Sequence, residues 1–102
     1  MIYWTDFAKN ELKNIFDFHR KKVNLKIAQQ IVRQIVKSAD ALQKFPEMGA
    51  IEKLLQEQPE SFRYIVSTNY KIIYWVNCHK KRIEIVDVFD TRQNPIKMNL
   101  NK

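Results

Sequence analysis

At 102 residues the chain has room for one domain, residues 1–102, whose core buries somewhat over about 60% of the unfolded surface. A hydrophobic content of 45% with one Gly and three Pro excludes disorder except in the final residues, KMNLNK, while a lone Cys78 excludes an internal disulfide and a thiolate zinc cluster. Lys and Arg outnumber Asp and Glu by 18 to 11, with 10 basic and 8 acidic groups in residues 1–60 and 8 against 3 in residues 61–102, so the net +7 favours polyanionic or acidic partners unless it serves solubility alone.

The start, MIYWTDFAKN, has neither the basic opening nor the apolar stretch of a signal peptide. The longest apolar run, Ile72 to Val76, is far short of the roughly 18 residues of a membrane span, so a cytoplasmic protein without membrane association is expected. IYW reads as a short strand, and Thr5 is placed to cap a helix over about residues 6–22. Its apolar stripe is Ala8, Leu12, Ile15 and His19, widened by Phe16. Asn24 caps a second helix, about 24–44, with the stripe Ala28, Ile31, Val32, Ile35, Ala39 and Leu42. Pro46 cannot continue that helix and Gly49 permits a turn. IEKLLQ can add one helical turn.

From Phe62 the period changes from 3.6 to 2, and FRYIVS, YKIIYWVN and RIEIVDVFD read as three strands. Their connections, at Thr68-Asn69 and CHKK, are short enough to require antiparallel hairpins. The expected fold is α+β: an N-terminal strand and an antiparallel helical hairpin packed on a mainly antiparallel sheet, in the order β-α-α-β-β-β. Strict alternation puts Ile83, Ile85, Asp87 and Phe89 on one side and Glu84, Val86, Val88 and Asp90 on the other. In the middle strand it separates Tyr70, Ile72, Tyr74 and Val76 from Lys71, Ile73, Trp75 and Asn77. Both faces are partly apolar, so the face away from the helices either has a cover, which is the chain's own tail, a second copy or another protein, or carries ordinary scattered surface apolar residues.

No nucleotide loop, metal-ligand spacing or serine elbow occurs, so no cofactor and no metal are expected. His19 reads as a packing residue and His79 as a solvated turn residue. Arg63, Lys71, Arg82 and Arg92 fall on adjacent strands or at their ends, where a sheet can align cations along one surface for a phosphodiester or another anionic target. The plainer reading pairs them with Glu84, Asp87 and Asp90. In DTRQN, Asp90 is positioned to fix Arg92 by a charged hydrogen bond, with Pro95 stiffening the exit.

YWTDFAKNELKNIFDF, LQKFPEMG, FRYIVSTNYKIIYWV and VDVFDTRQNP, in this order over residues 2 to about 98, resemble the RelE/ParE superfamily of toxins from bacterial type II toxin–antitoxin systems, the plasmid stabilisation proteins. The resemblance implies a growth inhibitor neutralised by a cognate antitoxin. RelE-like members cut messenger RNA on the ribosome, and ParE-like members inhibit DNA gyrase. Lys71 falls where RelE-like toxins carry an arginine, Arg92 falls near the arginine after the last strand, and Arg63 lies near basic positions of the preceding strand. No Tyr or His follows Arg92, so the terminal aromatic or proton-transfer group of the nucleases has no match and the ParE branch is closer. The alternatives are a metal-independent ribonuclease in which Glu84, Asp90 or His79 moves protons, and a non-toxic basic interaction module. Trp75, Ile73 and Val86 are the residues expected to meet an antitoxin, or a second copy in a homodimer.

Overall fold

The computed structural model describes residues 1–92. Strand β1 (Ile2–Trp4) enters helix α1 (Asp6–Lys22), and the Thr5 hydroxyl accepts the Ala8 amide at 3.1 Å, one of the four donors a helix start leaves unpaired. Asn24 does the same for α2 (Leu25–Asp40), its Oδ1 accepting the Ile27 amide at 2.8 Å. Helix α2 is shorter than the expected 24–44. It tightens into a 3-10 turn at Ala41–Gln43, and Pro46 disfavours helical backbone at Phe45.

Among the described residues the sheet has five strands in the order β1-β5-β4-β3-β2, with β2 at Ala50–Ile51, β3 at Arg63–Ser67, β4 at Tyr70–Asn77 and β5 at Arg82–Asp90. β1 lies parallel to β5, Ile2 beside Ile83 and Trp4 beside Ile85, and the other pairs are antiparallel. The fold is therefore α+β as expected, with one addition. Two residues of β2 pair with Arg63 and Tyr64, a strand too short to leave a periodic signal. IEKLLQ contributes the expected turn, of 3-10 type, at Lys53–Leu55.

The strict alternation assigned to β5 is corrected. Ile73 pairs with Asp87 but Tyr74 pairs with Ile85, so β5 carries an extra residue and the ladder shifts. Beyond this bulge the sides exchange: Val88 joins Ile83 and Ile85 in the core beneath the helices, and Phe89 joins the opposite cluster. Asp90, opposite Tyr70, comes to the helix side in consequence. A one-residue shift reverses every later side chain because the strand period is two.

The core under the helices holds Ala8, Ile15, Ile35, Ala39, Leu42, Ile72, Tyr74 and Ile85. Each fully buried Ile there contributes roughly 1.5–3 kcal/mol of transfer free energy. On the other face Leu55 and Phe62 close over Ile73, Val86 and Phe89. The segment between β2 and β3 is thus a cover for that face, supplied by the chain itself.

Candidate functional site at the end of the last strand

Four side chains from three elements meet where β4 begins and β5 ends. Asp90 closes β5 opposite Tyr70, and the Thr91 amide donates to the Asn69 carbonyl at 2.8 Å, which ties the strand end to the β3–β4 turn. Arg92 follows on this anchored backbone. Its Nε and Nη2 donate to the two Asp90 carboxylate oxygens at 3.0 and 2.8 Å, and its amide donates to Oδ1 at 2.8 Å. The fork geometry fixes the guanidinium while its side chain stays 67% exposed. The expected Asp90–Arg92 contact is present.

From the last turn of α1, His19 Nε2 lies 2.7 Å from the Tyr70 hydroxyl, and Phe18 stands exposed beside it with its ring edge-on to the imidazole. Burial raises the Tyr70 pKa, the Asp90 charge adds to this and Arg92 opposes it. The phenol therefore stays neutral and hydrogen-bonding at physiological pH. A depression of about 220 Å³, lined by Glu11, Asn14, Phe18, Tyr70 and Asp90 among others, opens beside the cluster. Sequence reading missed Tyr70 and His19 as site members. Their signals were an apolar stripe and a strand period, and only the packing of α1 on the sheet brings them 2.7 Å apart.

The other predicted cations do not share this place or one surface, which corrects the expected alignment. Arg63 faces the helix side, where Nη1 donates to the Gly49 carbonyl at 2.8 Å and braces the loop before β2. Lys71 lies on the opposite face, paired with the buried Glu52 at 2.5 Å and 4.1 Å above the Tyr64 ring. Arg82 sits at the other end of β4 and β5, seven residue steps or roughly 23 Å from Tyr70. It pairs with Glu84 at 2.9 Å and covers the Tyr3 ring at 3.9 Å.

Ile73 and Val86, expected to stand open to a partner, are 0% and 5% exposed because Leu55 and Phe62 cover them. Trp75 keeps part of its surface, edge-on to Phe62. Asp87 is fully buried opposite Ile73. His79 is an exposed residue of the β4–β5 turn. Gln93, Asn94 and Pro95 lie outside the described residues. Among the described residues no cluster of His, Cys, Asp or Glu is arranged to hold a metal ion.

The model of the family described as "ParE toxin of type II toxin-antitoxin system, parDE" matches residues 2–95. The chain belongs to the ParE toxin family. Among solved structures, a chain of the chromosomal ParDE toxin–antitoxin system from P. aeruginosa is similar at a TM-score of 0.71 and 23% identity, covering 87% of this chain and 92% of that one. At that identity the likeness speaks for the fold. The search of curated proteins finds no match.

In this ParE-family chain the strand-end pair has a measurable acid signature. The hydrogen bonds from Arg92 hold the Asp90 carboxyl below its ordinary pKa against a smaller opposing effect of burial. For Glu84 burial acts upward and is outweighed by hydrogen bonds from Asn77 and Arg82, so its pKa also falls. A depressed folded-state pKa means stability that is complete above the unfolded carboxylate value and lost as pH falls through the folded one. Urea midpoints recorded downward from pH 5 should fall less steeply in Asp90→Asn than in the wild type; identical acid limbs would contradict the assigned pairing.

Proposed function

We propose that the protein is the toxin of a type II toxin–antitoxin pair, that it arrests growth by binding DNA gyrase, and that Arg92 is its main target contact. One observation carries the choice of a binding mechanism. Arg92 is exposed and pre-oriented at a strand end, whereas Arg63, Lys71 and Arg82 are each committed to internal partners on separate surfaces. A nuclease needs cations converging on one scissile phosphate, and this spacing is poorly suited to that task. A rigid arginine suits a protein interface, where such anchors dominate affinity. Family membership supports the toxin reading, and the ParE branch supports gyrase as the target. A cytoplasmic location follows from such a target; no helix among the described residues is long and apolar enough to cross a membrane.

A cognate antitoxin belongs to the same reading. On the face covered by Leu55 and Phe62, Trp75 and the 54% exposed Val66 remain for it to bury, and the +7 charge favours an acidic segment.

Purified protein is expected to block gyrase supercoiling of relaxed plasmid and to leave ribosome-bound message intact. The neighbouring His19–Tyr70 pair gives the ribonuclease reading a specific basis, since it supplies a proton-transfer and aromatic group beside Arg92. Message cutting in the A site that falls by about 10²-fold or more in Tyr70→Phe, with supercoiling untouched, would replace the gyrase proposal by that one.

A further inference from the structure

The helical hairpin carries a second set of cations, on residues the strand-end site does not use. From Phe18 to Ala39 the chain has six Lys and Arg and no Asp or Glu. All six are exposed, and the ion pairs formed among the described residues use none of them. On α2 the spacing orders them. Lys26, Gln30, Arg33 and Lys37 recur at intervals of four, three and four, one helical face, and Gln30, Arg33, Gln34 and Lys37 line a common shallow groove.

We propose that this face of α2 binds the phosphate backbone of duplex DNA. The chemistry of the strip selects the partner. It offers ammonium, guanidinium and amide donors, the groups that contact phosphate oxygens without reading bases. It has no apolar side chain for a lipid bilayer or for the buried centre of a protein interface. Lys26 to Lys37 spans eleven residues, roughly 16 Å along the helix, and a duplex presents one charge per about 1.7 Å of axis, so phosphates lie within reach along the whole strip. The contact is independent of sequence and strongly salt-dependent.

The test is fluorescence anisotropy of a labelled 20-base-pair duplex (about two helical turns) with the full chain at several salt concentrations. A Lys26→Gln, Arg33→Gln, Lys37→Gln variant should bind roughly tenfold or more weakly at moderate salt, with the slope of log K against log salt reduced by about 2.7, three contacts at about 0.9 each. The matched control removes the same charge elsewhere, by Lys44→Gln, Lys53→Gln and Lys80→Gln, all exposed in the folded chain. It should keep most of the affinity and the slope. Equal losses in both variants would reduce the effect to net charge and overturn the proposal, as would a wild type that does not bind the duplex. Tighter binding of polyglutamate than of the duplex through the same three residues would assign the strip to an acidic protein instead. Unchanged thermal midpoints in both variants show that the comparison is between folded proteins.

Discussion

Arg92→Ala should abolish growth arrest at expression levels where the wild type stops growth, while leaving the fold intact. The guanidinium is held by both carboxylate oxygens of Asp90 and extends into solvent, so little conformational freedom remains to be lost when a target binds. Interface arginines of this kind commonly carry a dominant share of affinity, and the concentration needed for half-inhibition of gyrase should rise by about 30-fold or more. Arg92→Lys keeps the charge and loses the fork, so it should fall between the two. Thermal midpoints at neutral pH should differ by only a few degrees, the contribution of the Asp90 pair, since an exposed side chain away from the core adds little else to stability. If the target is nucleic acid, Arg92→Ala will lower the salt slope of binding by about one phosphate contact; a protein target gives no such simple change. Full toxicity of Arg92→Ala at equal soluble expression would reduce DTRQN to a strand terminus.

The second large effect is on folding. Gly49→Ala should destabilise the protein by about 2–4 kcal/mol, more than most single substitutions. A Cβ on Gly49 would stand 2.6 Å from the Tyr64 carbonyl oxygen, 2.6 Å from the Tyr74 hydroxyl oxygen and 2.8 Å from a Tyr74 ring carbon. None of these neighbours yields easily. The Tyr64 oxygen belongs to strand backbone, and the Tyr74 ring is fully buried with its hydroxyl accepting the Gly49 amide at 3.0 Å and donating to the Pro46 carbonyl at 2.8 Å. Burial raises the Tyr74 pKa although the Gly49 hydrogen bond opposes it, so the phenol keeps its proton and both bonds. The methyl group must therefore push the loop outward and break them, leaving buried polar groups unpaired. At about 4–8 °C per kcal/mol for a domain of this size, the thermal midpoint should fall by roughly 8–32 °C. Tyr74→Phe removes the same hydrogen bonds without the clash and should cost less, about 1–3 kcal/mol. A Gly49→Ala midpoint within two or three degrees of wild type would show that the loop gives way freely, contrary to the close packing described.

By itself the sequence determined both helix starts, the change of period near Phe62, the hairpin connections and the Asp90–Arg92 contact, because each depends on residues within a few positions of one another. A side-chain cap reaches three residues, and a carboxylate reaches a guanidinium two residues on along extended chain. Tertiary structure alone decided the rest. The bulge in β5 depends on how β4 lies against it, and it reversed the sides of Val88 and Phe89 that alternation had assigned. The Leu55–Phe62 cover depends on a non-periodic segment folding back over Ile73 and Val86. Comparing charge between the two parts of the chain likewise pointed to the C-terminal side. In the fold, however, Arg63, Lys71 and Arg82 found internal partners there, while the ion pairs among the described residues use none of the cations of α2. Sequence counts charges, but only burial and pairing, fixed by contacts between distant residues, decide which of them can meet another molecule.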